Sequence, residues 1–223
     1  MQLYFVRHGR TQYNVEQRFQ GGSADSPLVE SGITGAKAAG KYLQRTQFSH
    51  VYSSPQGRAL DTAKLITAEN QWQPAITIDQ RFSELDFGSW DGQLEQDVTP
   101  KDQLENVIHH PAAYQPELAN GGETYAEFVA RTTAAVHDAV AKAGVANPQP
   151  VLIVSHGLVT TMTLKTLMGV PVSGLRAPFV VDGKVLNTVG HGIVDNDSLT
   201  IVETHDNVNF QLVTWNQTSY LTE

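Results

Sequence analysis

Two apolar runs in this chain end in the same polar figure. Leu3-Tyr4-Phe5-Val6 leads into Arg7-His8-Gly9, and Val151-Leu152-Ile153-Val154 leads into Ser155-His156-Gly157. A β-favouring run without polar alternation predicts a strand buried on both faces of a parallel sheet. In open α/β sheets the ligand crevice lies beyond the carboxyl ends of the strands. Two such strands therefore deliver two imidazoles to one crevice, and Gly9 lets the backbone turn sharply after the first. A third run, Val51-Tyr52-Ser53-Ser54-Pro55, places Arg58 in the first turn of the next helix, where an anion would also meet free backbone N–H groups. Two imidazoles and two guanidiniums at one edge suit a tetrahedral dianion, because Arg binds phosphate oxygens through forked, charge-assisted hydrogen bonds.

Between these anchors the chain alternates in the manner of an α/β protein. Gln12 to Pro27 is polar and aperiodic, and its position after the first His-Gly marks it as a ligand-contacting loop carrying Asn14, Arg18, Gln20 and Gly21. Helical spacing follows from Ile33 to Leu43 and from Gln56 to Asn70, with a short strand at Ala75–Ile78. Phe82 to Gly92 mixes aromatic residues with Glu84, Asp86 and Asp91. A carboxyl group packed among aromatics has its pKa raised by desolvation, which suits a general acid, and all three carboxylates qualify on that argument.

Residues 93–120 predict a partly helical insertion capping the crevice, with His109 and His110 as surface histidines. Thr124 and Glu127 have capping-box spacing at the start of an amphipathic helix. Another helix runs from Leu158 to Met168 and stops at Gly169. Asp182-Gly183 predicts a two-residue hairpin within Phe179–Leu186, and Leu199–Glu203 with Phe210–Trp215 a final antiparallel pair. The expected architecture is a single α/β domain over 1–223, with a mostly parallel central sheet.

Composition narrows the chemistry. With no cysteine, the chain has no disulfide, thiolate metal site or Cys nucleophile, and it fits a cytoplasmic protein. A net charge of −8 argues against a nucleic-acid or anionic-membrane surface, so a few focused Arg and His residues must attract any anionic substrate. No membrane-spanning stretch, signal peptide or lipidation motif is expected. The histidines lack close ligand spacing, so no metal and no cofactor is expected.

The ordered set Arg7-His8-Gly9, Gln20-Gly21, Ser26-Pro27-Leu28, Ser53-Ser54-Pro55, Arg58-Ala59 with Thr62-Ala63, Glu84-Leu85 with Phe87-Gly88, Trp90 and Gly92, Gly121-Gly122-Glu123-Thr124 and Ser155-His156-Gly157 resembles the histidine phosphatase superfamily, in the branch of the cofactor-dependent phosphoglycerate mutases. The resemblance runs from Leu3 to Asn196-Asp197-Ser198 and implies a three-layer α/β/α sandwich and a phosphohistidine intermediate. It makes His8 the nucleophile, Glu84 the proton donor, and Arg7, Arg58 and His156 the phosphate pocket. Asn14 would be a further phosphate contact, Gln20 and Gly21 would border the substrate, and Gly157 would belong to the phosphate-binding set.

Two departures carry weight. Arg10 stands where many relatives have an acidic or amide residue, and the segment from Glu84 to Gly121 looks shorter than in the mutases and lacks their Arg-Arg-Gly pattern. Arg10 would add a cation at the rim, while the short segment without Arg-Arg-Gly favours a metal-independent phosphomonoesterase acting on a small phosphorylated metabolite. The alternatives are a phosphoglycerate mutase, and a catalytically idle phospho-ligand-binding protein on the same scaffold. A homodimer is compatible with these readings.

Overall fold

The computed structural model describes residues 1–221. Strands β1 (Gln2–Arg7), β2 (His50–Ser53), β3 (Ile76–Ile78), β4 (Val151–Ser155), β7 (Leu199–Thr204) and β8 (Phe210–Gln217) form one sheet in the order β3-β2-β4-β1-β7-β8. The first four of these are mutually parallel, whereas β7 runs antiparallel to β1 and β8 antiparallel to β7. β1 is thus central, and it lies where parallel pairing gives way to antiparallel pairing.

Alternation along the strands builds two cores. Leu3 and Phe5 of β1, with Val151 and Ile153 of β4, face a cluster that includes Phe128 and Val136 of α6 (Tyr125–Ala143) and Met162 of α7 (Gly157–Leu167). Val6, Leu152 and Val154 face the other side, against Ala39 of α2 (Glu30–Tyr42) and Ala63 and Ile66 of α3 (Gly57–Glu69). Helices on both faces make the three-layer sandwich, and both faces need apolar residues, which is why β1 and β4 show no polar alternation.

The expected punctuation is present. Thr124 and Glu127 form the reciprocal capping box of α6. Asp182 and Gly183 turn with φ of 50° and 75° between β5 (Val180–Val181) and β6 (Lys184–Val185), as a primed hairpin turn requires. Residues 12–27 are not purely loop: α1 (Gln12–Glu16) forms there, its start fixed by a capping box between Thr11 and Asn14. α1 buries no residue, so it leaves no apolar period in the sequence. Residues 93–120 contain α4 (Lys101–His109) and α5 (Pro116–Ala119), and His109 and His110 are exposed. No helix among the described residues is long and apolar enough to cross a membrane.

α2 presses directly on the turn after β1. A Cβ on Gly32 would stand 2.2 Å from the Arg10 carbonyl oxygen and 2.6 Å from the Arg10 nitrogen. Both are backbone atoms, so Gly32→Ala must displace either the helix or the His8 turn. We expect it to cost about 1–3 kcal/mol, as overpacking does, read as a lower urea midpoint with an unchanged slope. The His8 imidazole resonances should shift in the same variant.

Candidate active site

β1 ends by delivering Arg7 and His8 into a turn held from three sides. The His8 N–H donates to the Ser155 carbonyl at 2.9 Å, tying the end of β1 to the end of β4. The Gly9 N–H donates to Thr62 Oγ1 at 3.0 Å, and Asn196 Nδ2 donates to the His8 carbonyl at 3.0 Å. His8 Nδ1 lies 2.8 Å from the Gly9 carbonyl, an acceptor, so the proton sits on Nδ1 and the lone pair on Nε2. Burial, reinforced by Arg58 and Arg7, holds the His8 pKa well below that of an ordinary imidazole. His8 is therefore a neutral base at physiological pH.

His156, the cap residue before α7, lies with its ring centroid 5.2 Å from that of His8. Its tautomer follows from a chain of donors. Gln56 Nε2 donates to the Gly22 carbonyl at 2.9 Å, which turns Gln56 Oε1 toward Ser54, whose hydroxyl donates to it. With its one proton so committed, Ser54 Oγ accepts from His156 Nε2 at 2.7 Å. His156 Nδ1 is then buried without a partner. Burial, followed by Arg58, His8 and Arg7, lowers the His156 pKa as well.

The guanidiniums are half-committed. Arg7 Nη1 donates to the Val194 carbonyl at 2.6 Å, while its Nε is buried and unpartnered. Burial lowers its pKa to about 10, so it stays charged at neutral pH. Arg58 Nη1 pairs with Asp25 at 2.9 Å, and Nη2 donates to the carbonyls of Gln20 and Gly21, which leaves Nε buried and unpartnered. Asp25 also receives the Arg58 N–H at 3.4 Å, so an internal carboxylate occupies the start of α3, where an anion was expected to find free N–H groups. A Cβ on Gly157 would stand 2.8 Å from Ile193 Cδ1 and 3.3 Å from Arg7 Nε, so a side chain there would crowd both.

Glu84 is the buried carboxylate of its loop, only 7 % exposed, whereas Asp86 and Asp91 are partly exposed. Its oxygens accept from the N–H groups of Leu85 at 3.0 Å and Leu158 at 3.1 Å. Burial outweighs these bonds and the nearby Arg58 and Arg7, so its pKa is raised. Asp91 instead holds the backbone of Gly21 and Ser23.

A cavity of about 710 Å³ opens over this cluster. Arg7, His8, Asn14, Gln20 and Glu84 line it, while Arg58 and His156 lie beneath it, fully enclosed. Asn14 Oδ1 accepts from Thr11 N–H and Asn196 Nδ2, leaving its amide donors for the cavity. The Gln20 side chain is spent on Thr11 and Ser26, and Gly21 packs under the Glu84 loop, where a Cβ would stand 2.2 Å from the Leu85 carbonyl. Residues 93–120 contribute Leu94, Glu95, Leu104, Val107 and Ile108 to the wall, while Arg10 is exposed and does not line it. Among the described residues, no group of three or more His, Cys, Asp or Glu side chains is placed to hold a metal.

Sequence reasoning missed several contributors. Asp25 behind Arg58, the Ser54–Gln56 relay and Asp197 behind the His8 turn are contacts between distant segments. Arg176 and His191 reach the cavity wall from the far side. Only the Ser-Ser-Pro and Asn-Asp-Ser figures hinted at any of them.

Comparison with known proteins agrees with this geometry. The family model described as histidine phosphatase superfamily (branch 1) matches residues 3–218. A probable phosphoglycerate mutase, GpmB, of Salmonella choleraesuis is 32% identical over 179 residues, covering 77% of this chain and 76% of its own length. Among solved structures, Bacillus stearothermophilus YhfR superposes with a TM-score of 0.84 at 28% identity, covering 99% of both chains. A mycobacterial glucosyl-3-phosphoglycerate phosphatase in complex with VO3 gives 0.79 at 29% identity, covering 96% of this chain and 98% of its own.

Asp197 supplies a test of the electrostatics around the His8 turn. It is 3 % exposed with Oδ1 unpartnered, and burial raises its pKa to about 7 despite Arg7 and the Arg10 N–H. A carboxyl whose folded pKa is raised stabilises the fold below its unfolded pKa and loses that contribution as pH rises through the folded value. The neutral Asp197→Asn variant escapes this penalty. Its stability relative to the parent should rise by about 2 kcal/mol between pH 5.5 and 8.5, measured by urea denaturation of both proteins at each pH.

Proposed function

The chain belongs to the histidine phosphatase superfamily, branch 1, and on that premise we propose that it is a metal-independent phosphomonoesterase working through phosphorylated His8. One observation carries the reading. Arg7 Nε and Arg58 Nε are buried donors without an acceptor, both guanidiniums act electrostatically on His8, and the His156 ring lies 5.2 Å from that of His8. Buried donors are rarely left unpaired, and the equatorial oxygens of a phosphoryl group would supply what they lack. The relative bound to VO3 supports the same use of the pocket.

The steps follow from the protonation states. His8 Nε2, neutral with its lone pair toward the cavity, attacks phosphorus in line, and the ester oxygen leaves on the opposite side. Arg7, Arg58 and the Asn14 amide hold the oxygens as charge redistributes. A dianion beside His156 offsets the burial and neighbouring positive charge that keep its Nδ1 bare, so His156 takes up a proton from solvent on binding and becomes a donor. Glu84, whose pKa burial raises, gives a proton to the departing alkoxide from its protonated form. It then takes one from the water that attacks phosphohistidine.

The Salmonella relative named as a probable phosphoglycerate mutase favours a second reading, in which phosphohistidine passes to a second substrate. A mutase needs another cationic site for the distal phosphate. Here Arg18 is paired with Glu16 at 2.5 Å, and Arg176 spends Nε on Tyr125 and Nη1 on the His191 carbonyl. Water is the better-supplied acceptor in such a cavity, which supports the phosphatase reading.

Rapid quenching without acid, followed by mass spectrometry, should find the phosphoryl adduct on His8 and none in His8→Ala. With 3-phosphoglycerate and catalytic 2,3-bisphosphoglycerate, phosphate release should exceed 2-phosphoglycerate formation. Isomerisation faster by orders of magnitude would make the protein a mutase. Activity should survive exhaustive chelation.

Glu84→Gln makes a graded prediction. It should lose about 10²–10⁴-fold on alkyl phosphates, whose leaving groups need a proton, and less on p-nitrophenyl phosphate, whose phenolate leaves unaided. Equal losses in burst kinetics on the two substrates would remove the acid role from Glu84. In the parent, kcat/KM for alkyl phosphates should fall as pH rises through the raised pKa of Glu84.

A further inference from the structure

Above the phosphate end, the cavity wall changes character. α4 presents Leu104 and Ile108, one turn apart, and Leu94 precedes them on the same segment. Phe19 comes from the loop after α1, and Ile193 from the segment before β7. All five are only partly buried, so each keeps apolar surface that a ligand can cover.

The charged residues of the rim already have partners within the protein. Arg18 donates to Glu16 and, at 2.8 Å, to the Gly92 carbonyl. His191 Nε2 lies 3.0 Å from Glu95, and Arg176 holds the His191 carbonyl at 2.9 Å. Glu16 is thus paired with Arg18 and Glu95 with His191, while Arg176 is held by the Tyr125 hydroxyl and the His191 carbonyl. A hydrocarbon against the apolar wall would leave these contacts intact.

Size points the same way. A cavity of about 710 Å³ lies well inside the roughly 300–1,000 Å³ range of pockets that enclose sizeable organic ligands. A three-carbon acid would leave the Leu104–Ile108 face in contact with water.

We propose that the leaving group of this enzyme's substrate is apolar, an alkyl or aryl alcohol, seated against the face formed by Phe19, Leu94, Leu104, Ile108 and Ile193. The inference rests on the phosphatase reading for its reaction and on the cavity wall for its specificity. Covering an added methylene of ligand with this wall should raise kcat/KM by roughly two- to fourfold, continuing until the cavity is filled.

The test is a series of n-alkyl phosphates from ethyl to octyl, with 3-phosphoglycerate as the polar comparator. The matching n-alkylphosphonates, which cannot be hydrolysed, are titrated by calorimetry in parallel. Both kcat/KM and phosphonate affinity should climb with chain length, and hexyl phosphate should outperform 3-phosphoglycerate. Ile108→Asn and Leu104→Asn, made separately on the partly exposed face of α4, should each flatten the climb. An affinity series that is flat or falling overturns the proposal, as does a preference for 3-phosphoglycerate. If no ester releases phosphate, the phosphatase reading fails alone, because the phosphonate affinities still decide whether the wall selects apolar groups.

Discussion

The pairing of β1 with β4 is the constraint on which everything else depends. Arg7 stands opposite Ser155 in parallel register, so the residues that follow each strand, His8 and His156, emerge at the same level. The bond from the His8 N–H to the Ser155 carbonyl continues that ladder one step past the strand. A slip of one residue would reverse the facing of Leu3, Phe5 and Val6 and of their partners on β4. It would also separate the two imidazoles. Hydrophobic alternation on both faces therefore fixes the site geometry, and no separate interaction between the histidines is needed to bring them together.

That arrangement carries an electrostatic cost which the surrounding structure manages. Two guanidiniums and two imidazoles are buried at the sheet edge of a protein with net charge −8. Burial and mutual repulsion keep both imidazoles neutral. Asp25 and backbone carbonyls take part of the Arg58 charge, and Val194 takes part of Arg7. What remains is a buried, unpartnered Nε on each guanidinium and a bare Nδ1 on His156. The same burial that makes His8 a poor cation makes it an available nucleophile. It also gives Glu84 an affinity for protons that its two backbone hydrogen bonds do not cancel.

The legible parts of the sequence were those whose signal is local. The apolar runs of β1 and β4 marked strands, Thr124 with Glu127 marked the start of α6, and Asp182-Gly183 marked a turn, because each depends on neighbours within a few residues. α1 was missed because it buries nothing and is held by a side-chain cap alone. For the site, His8, Arg7 and Glu84 could be read from position and composition, with the family resemblance choosing Glu84 among three carboxylates. Arg58 and His156 were read as members of the same cluster; both are fully buried and act electrostatically on or pack against His8, but neither lines the cavity. Gln20 lines the cavity with its side chain tied to Thr11 and Ser26, and Gly21 packs beneath Leu85. Asp25, Gln56 and Asp197 act through contacts with segments far away in the chain, and no local pattern encodes such contacts.

Reactivity and selectivity are carried by different kinds of segment. The reactive groups sit on strand ends and helix starts, where the sheet register and the packing of α2, α3 and α7 leave little freedom. A Cβ on Gly9, for instance, would stand 2.6 Å from the Gly32 carbonyl. The cavity wall comes from connections, namely the loop after α1, residues 93–120 and the segment before β7, which the sheet does not constrain. Changes there can recast the leaving-group site while the phosphoryl chemistry stays where the strands put it. A fold shared with proteins named as mutases and as phosphatases is therefore compatible with different substrates. On the proposal of an apolar leaving group, Leu104 and Ile108 select the substrate while the strand ends that carry His8 and His156 stay as they are.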